Sequence, residues 1–231
     1  MLSSAIAAFT DILTPSFRAV LLKSLALTVG LLVLIWLGLQ GLAGWLIDSP
    51  YPWLDTSLTV LTGIGVFVGL GFLVAPVMSL FAGLFLDEVA ELVERTGYPN
   101  DRPGKSQPLG VALKETLVFV GVVIVGNIVA LLLLLVPGVN VVAFVVVNGY
   151  LLGREYFEAV AMRFGTPEEA RALRRANAVT VFLAGLLVAA VLAIPLVNLL
   201  TPLFATAFMV HLRKRLAARA DARPPVRPAR P

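Results

Sequence analysis

The stretch SLALTVGLLVLIWLGLQGLAGWLI, residues 24–47, contains no charged side chain. A run of about 18 or more apolar residues is long enough to cross a membrane as one helix. Arg18 and Lys23 precede the run, and an acidic, proline-rich turn follows it at 48–55. Because Lys and Arg favour the cytoplasmic face, we expect this helix to begin in the cytoplasm and to end outside.

The basic residues along the rest of the chain follow the same rule. All 18 Lys and Arg residues fall in four groups, and the long, mostly apolar gaps between the groups contain none. The groups are Arg18–Lys23, Arg95–Lys114, Arg154–Arg175 and Arg213–Arg230. Each gap has a break near its middle, so the chain can enter the membrane and return to the same face. The pattern predicts that both termini are cytoplasmic.

The composition narrows the class of protein. Hydrophobic residues make up 59% of the 231 residues and charged residues 14%, which is too apolar for a soluble chain of this length. There is no Cys, so disulfides and thiolate metal ligands are excluded. The basic groups flank apolar segments, which indicates contact with membrane lipid rather than with nucleic acid. No catalytic constellation or cofactor motif is found, so we expect neither an enzyme nor a cofactor.

A second long apolar segment, from about residue 57 to 86, predicts a second crossing. It contains Gly65, Gly69 and Gly71, and small residues spaced by four allow another helix to approach closely. Close packing inside one subunit is the favoured interpretation of these glycines, and a dimer seam is the alternative. The helix is expected to continue past the membrane.

Acidic residues mark the predicted cytoplasmic end of this helix. Asp87, Glu91 and Glu94 lie on one helical face. Such a face could bind a cation, but no His accompanies the carboxylates, so we interpret it as a solvated surface and expect no metal site. The Gly- and Pro-containing segment 97–108 is a predicted cytoplasmic loop.

Two later apolar segments break at the same pattern, Pro-x-Val-Asn. The first break contains Pro137, Gly138 and Asn140, and the second contains Pro195 and Asn198. Neither tip carries a charge, and both lie among aliphatic residues, so we expect re-entrant helical hairpins whose tips stay within or just under the far leaflet. Hairpins that cross completely are the alternative.

These elements predict an all-α integral membrane protein with two long transmembrane helices and two re-entrant hairpins. A single helical membrane domain is expected over 1–218, followed by a disordered, Arg- and Pro-rich cytoplasmic tail at 219–231. Residues 1–15 predict a short amphipathic helix on the membrane surface. Thr166, Pro167 and Glu169 have the spacing of a capped helix start.

Polar residues inside the apolar segments are candidates for a transport pathway. Asn127 and Asn148 lie at similar distances from the first tip, so they line a path or form an interhelical hydrogen bond. Arg154 and Glu158 form a vestibule site or, more simply, a structural i, i+4 ion pair. His211, the only His, is interpreted as an interfacial residue.

The chain resembles the CysZ-type sulfate permeases, which are grouped with the etoposide-induced membrane proteins. The resemblance rests on Pro15-Ser-Phe-Arg18, on the Ala-Pro segment 75–90 that leads into an acidic helix, and on the two Pro-x-Val-Asn tips. It covers roughly residues 10–215. It implies two long helices, two hemi-penetrating hairpins, a homodimer or higher homo-oligomer, and sulfate uptake across the bacterial inner membrane.

The resemblance also implies an anion site at the start of the first long helix. Carried onto this chain, it gives Arg18 the anion-contacting role, with the backbone N–H groups of Ser16 and Phe17 as donors and Lys23 one turn further on. A helix N-terminus suits an oxyanion because its N–H groups are free. An interfacial anchor is the alternative role for Arg18. The alternative function is a non-transporting membrane scaffold that binds partner proteins or lipid.

Overall fold

The computed structural model describes residues 1–46, 52–133, 139–194 and 197–221. These residues form α-helices and one 3-10 helix, and no strand occurs among them. The all-α prediction is therefore confirmed. In chain order the elements are α1 (Leu2–Ile12), α2 (Pro15–Leu46), α3 (Pro52–Leu84), α4 (Leu86–Gly97), α5 (Leu109–Leu133), α6 (Val139–Met162), α7 (Pro167–Ala176), α8 (Ala178–Leu192), the 3-10 helix (Val197–Leu200) and α9 (Thr201–Asp221).

The contacts divide the chain into two compact units, and the single helical membrane domain stays a prediction. The two-helix unit, Arg18–Phe85, contains nearly all of α2 and the whole of α3. The two helices are neighbours at both ends. A Cβ on Gly63 would lie 3.3 Å from Nε2 of Gln40, and Nζ of Lys23 lies 5.9 Å from the centre of the Phe85 ring. The helices therefore run antiparallel.

Helix α2 supplies the membrane span that the described residues show most clearly. Within the described residues, its Pro15–Leu42 stretch is the one single helix long and apolar enough to cross a membrane. Helices α7 and α8 meet at 93°, and they would count as a second membrane span if together they formed one broken helix across the membrane. The second long crossing and the re-entrant placement of the hairpins stay predictions.

The glycines of α3 leave an open surface. A Cβ at Gly65, Gly69 or Gly71 would have no atom within 4 Å. Within the two-helix unit, the described residues of α2 therefore do not pack on these glycines. The interpretation that they pack inside the subunit stays a prediction.

The predicted second long helix does not continue unbroken. A turn at Phe85 separates α3 from α4. The apolar α3 belongs to the two-helix unit, whereas α4 is amphipathic, buries Val89, Ala90 and Val93, and packs against α9 in the larger unit. The cytoplasmic placement of this segment stays a prediction.

Helix α9 is the centre of the larger unit, which consists of Met1–Phe17 and Leu86–Pro231. Its residues Leu203 to Val210 are buried, with Phe204 and Phe208 stacked at a ring separation of 5.7 Å. Helices α1, α4, α6 and α8 all pack against it. Burying a side chain of this size contributes roughly 1.5–3 kcal/mol, so α9 organises the unit.

Helix α1 shows the predicted amphipathic character. Its small residues Ser4, Ala5 and Ala8 are buried, and α1 packs on α9. A neighbouring face carries an exposed apolar row formed by Leu2, Ile6, Phe9 and Leu13, in which the Phe9 ring also contacts the Phe204 ring of α9 at 4.4 Å. A row of this kind suits the membrane interface.

Helices α6 and α8 pack through glycines. A Cβ on Gly185 would lie 1.9 Å from the carbonyl oxygen of Gly149 and 2.6 Å from the backbone nitrogen of Gly153. Only a residue without a side chain fits such an approach. Gly149 and Gly153 are spaced by four, so a small-residue contact of this kind joins α6 to α8.

Helix α7 begins as predicted. The Thr166 hydroxyl accepts a hydrogen bond from the Glu169 N–H at 3.2 Å, and the Glu169 carboxylate accepts one from the Thr166 N–H at 2.9 Å. At the other end of the chain, α9 continues through Arg219 to Asp221, into the predicted tail. Residues 222–231 lie outside the described residues.

Candidate functional site

The predicted anion site lies in the first turns of α2. Pro15 has no N–H, and the N–H groups of Ser16 and Phe17 belong to the helix start, where no helix carbonyl can accept them, whereas the Arg18 N–H can donate to the Thr14 carbonyl. The side chains of Ser16 and Arg18 are exposed, whereas Phe17 is 2% exposed. Lys23 is exposed and lies over the Phe85 ring. Buried Phe17 anchors the turn while Arg18 remains accessible.

The two asparagine candidates lie on neighbouring helices. A Cβ on Gly126 would lie 3.5 Å from Val147 and Leu151, so Asn127 and Asn148 are at similar depth in the α5–α6 hairpin. The Asn127 side chain lies outside the described residues. Asn148 is half-buried.

The cleft between α5 and α6 is apolar. Its volume is about 480 Å³, and its wall consists of aliphatic residues and glycines together with Tyr150. Such a wall offers an anion almost no hydrogen bonds. The cleft therefore suits lipid or a packed neighbour better than a charged solute.

Arg154 and Glu158 form the predicted ion pair, but a second arginine joins it. Nε of Arg154 lies 3.4 Å from Oε2 of Glu158, and Nε of Arg174 lies 2.6 Å from Oε1 of the same carboxylate. The interaction joins α6 to α7. Glu158 is thus shared between two guanidinium groups.

Glu94 is the main correction to the predicted acidic surface. Asp87 and Glu91 are exposed, but Glu94 is 3% exposed and lies 2.9 Å from Nε of Arg163. Glu94 follows Val93 and lies one turn after Ala90, so it borders the buried face of α4. Arg163 also pairs with Asp87. The interpretation of a fully solvated acidic face is wrong.

The Glu94–Arg163 pair also fixes the predicted loop. The Gly104 N–H donates to Oε2 of Glu94 at 2.8 Å, and the Lys105 N–H donates to the carbonyl of Arg163 at 2.7 Å. A Cβ on Gly104 would lie 2.9 Å from Oε1 of Glu94. The loop therefore needs glycine at this position.

His211 has partners that the sequence did not indicate, and its place at the membrane interface stays a prediction. It is buried, with Nε2 2.8 Å from Oδ2 of Asp11 and Nδ1 2.8 Å from the Tyr98 hydroxyl. Burial raises the pKa of the Tyr98 hydroxyl, which therefore stays protonated at neutral pH and can donate to Nδ1. That arrangement leaves Nε2 as the donor to Asp11. His211 thereby links α1 and the 97–108 segment to α9.

The predicted hairpin tips are only partly described. Pro137, Gly138 and Pro195 lie outside the described residues. Asn140 is the second residue of α6, and its side chain is likewise outside the described part. Asn198 lies in the 3-10 helix, and its N–H donates to the Ile194 carbonyl at 2.9 Å.

Sequence reasoning missed Arg163, Arg174 and the glycines of α6 and α8. Gly149 and Gly153 carry a small-residue spacing that could have been noticed. For Arg163 and Arg174 the partner depends on how the helices pack, and the local sequence offers no signal for that.

The fold defines an all-helical membrane protein. Helices α2, α3 and α5 expose apolar side chains such as Leu34, Phe67 and Leu117 over most of their length, which water does not tolerate on this scale. Residues 4–202 match the family described as sulfate transporter CysZ/etoposide-induced protein 2.4, and the chain belongs to this family. A comparison with curated proteins gives no match.

Proposed function

We propose that this protein conducts an inorganic oxyanion, namely sulfate, across the bacterial inner membrane. The observation that carries the proposal is the family match over residues 4–202, which includes the start of α2, the α5–α6 hairpin and α8. The family description names a sulfate transporter. The exposed basic side chain in the first turn of α2 is the feature of this chain that fits such a substrate.

The proposed anion site uses Ser16, Phe17 and Arg18, with Lys23 as a second cation. Free N–H groups and the positive end of the helix dipole favour an oxyanion, and the Arg18 guanidinium adds charged donors that match its geometry. Pro15 is the first residue of α2, and it has no N–H group of its own. Because Phe17 is buried, the turn is held in place before the anion arrives.

The proposed topology places α2 and α3 across the membrane and makes the α5–α6 and α8–α9 segments re-entrant hairpins, with both termini cytoplasmic. The positions of the four basic groups support this topology. Of the pathway candidates, Asn127 and Asn148 keep that proposed role. Arg154 and Glu158 form part of an ion pair network that also stabilises α7.

We also propose a homo-oligomer. The open surface at Gly65, Gly69 and Gly71 supports it, because small residues on an uncovered membrane helix permit close contact with a second copy. Each protomer offers too few polar groups in its α5–α6 cleft to conduct an anion there. A path formed together with a neighbouring copy would give the anion a larger lining surface.

The test is radiolabelled sulfate uptake into proteoliposomes made with the purified protein. Uptake should exceed that of protein-free vesicles, and Arg18→Ala should lower it about tenfold, as expected for a lost charge-assisted contact. Arg95→Ala is the matched control, because Arg95 is exposed and pairs only locally with Glu91. Absence of uptake by correctly folded protein would favour the membrane scaffold.

A further inference from the structure

A cavity whose wall contains two arginines lies where α6, α7 and α8 meet. Its volume is about 270 Å³, and its wall is apolar apart from the tyrosine and the two arginines. The residues that line it include Tyr150, Arg154, Arg174, Ala178, Val179 and Phe182. Two guanidinium groups in an otherwise apolar wall would favour an anion in addition to their carboxylate partner Glu158.

The charges around the cavity do not balance. Glu158 is the carboxylate that contacts both arginines, so the three side chains together carry one excess positive charge. The Arg154 and Arg174 side chains are only 11% and 14% exposed. Water screens charges poorly at such positions, and a bound anion would relieve the excess.

The guanidinium groups have donors to spare. Each arginine gives Nε to Glu158, and within the described residues neither Nη atom of either arginine has a hydrogen-bond partner. The Tyr150 ring lies 5.9 Å from Arg174 Cζ and helps to orient it. A planar fork of N–H groups matches phosphate or sulfate oxygens.

The start of α8 adds donors from the backbone. Ala178 and Val179, which line the cavity, belong to its first turn. The N-cap residue Asn177 makes no side-chain capping bond, because its Nδ2 donates to the Leu173 carbonyl at 3.0 Å. Asn177 is also the C-cap of α7, so the negative end of α7 lies at the same junction and offsets part of the α8 dipole.

We propose that this cavity binds a tetrahedral oxyanion group, phosphate or sulfate, held by Arg154 and Arg174. The group can come from a free inorganic anion or from the phosphodiester of an anionic phospholipid. The cavity shares no residue with the proposed α2 site, and its occupation does not depend on transport. A phosphodiester carries one negative charge and would neutralise the excess.

The test uses full-length protein carrying Arg18→Ala, so that the proposed α2 site does not contribute. Sodium sulfate and sodium phosphate are titrated by calorimetry against sodium chloride, and native mass spectrometry counts retained phosphatidylglycerol. Binding of free sulfate or phosphate identifies the inorganic source. Retained phosphatidylglycerol without binding of free anion identifies the headgroup. In either case Arg174→Gln should weaken binding about tenfold or more, whereas exposed Arg175→Gln should not.

A second variant tests the cavity without changing an arginine, because an arginine variant that fails to fold would say nothing about binding. Ala178→Phe fills the cavity without changing an ionic group, and exposed Ala190→Phe on the same helix is its size-matched control. Ala178→Phe should abolish binding, and Ala190→Phe should keep it. The proposal is overturned by unchanged binding in Ala178→Phe, or by an absence of both oxyanion binding and retained lipid.

Discussion

Glu94 and Arg163 form a buried ion pair between residues 69 positions apart, with Oε1 and Nε separated by 2.9 Å. Their side chains are 3% and 6% exposed. The pair joins α4 to the end of α6, and the carboxylate also accepts the Gly104 N–H. One carboxylate therefore connects α4, the end of α6 and the loop that follows α4.

Removing the carboxylate charge should destabilise the larger unit strongly. Loss of one partner of a buried ion pair costs about 3–5 kcal/mol because the other charge remains buried. We expect Glu94→Gln to lower unfolding stability by about that amount in detergent. Glu91→Gln is the control, since its pair with Arg95 is exposed and contributes about 0–1 kcal/mol. Equal losses in the two variants would contradict a structural role for the buried pair.

The α6–α8 contact should not tolerate a side chain at its closest point. A Cβ on Gly185 would lie 1.9 Å from the Gly149 carbonyl oxygen, so Gly185→Val must separate the helices. We expect loss of monodisperse protein in size-exclusion chromatography.

Gly30→Ala is the matched control for that experiment, since Gly30 lies outside the proposed oligomer contact. A Cβ there meets open space, and alanine favours a helix by roughly 0.5–1 kcal/mol. The variant should therefore be at least as stable as the wild type when studied as a monomer. A well-folded Gly185→Val protein would show that the helices can pack without the glycine contact.

The Asp11–His211–Tyr98 arrangement should hold α1 against α9. Asp11→Ala leaves a buried imidazole N–H without its acceptor, which costs about 1–3 kcal/mol. We expect faster hydrogen exchange in α1, measured by mass spectrometry. Thr10→Ala is the control, since the exposed Thr10 hydroxyl bonds only to the Ala7 carbonyl within the helix. If hydrogen exchange in α1 is unchanged in Asp11→Ala, the bond to His211 does not hold α1 against α9.

The local features of the fold could be predicted from the sequence. The apolar row of α1 and the Thr166–Glu169 cap depend on residues a few positions apart, and the structure confirms both. The Arg154–Glu158 pair belongs to the same class. In each case helical spacing alone brings the partners together.

The contacts between distant helices could not be predicted. The sequence around Glu94 indicates an acidic surface, and only the packing of α4 against α9 shows that Glu94 is buried. His211 is 113 positions from Tyr98 and 200 from Asp11. Pairings at such separations are decided by tertiary packing, which one sequence does not specify by local pattern.

Oxyanions in the cytoplasm can reach the four basic groups only if those groups lie on the cytoplasmic side of the membrane. The chain has no Cys, so single cysteines can be introduced and labelled in intact cells with a membrane-impermeant thiol reagent. Ser106→Cys and Ala172→Cys probe two segments that belong to the basic groups, and Asp55→Cys probes the predicted external turn. We expect labelling from outside at position 55 alone, with the other two labelled only after the membrane is opened. Labelling of position 106 or 172 in sealed cells would contradict the account.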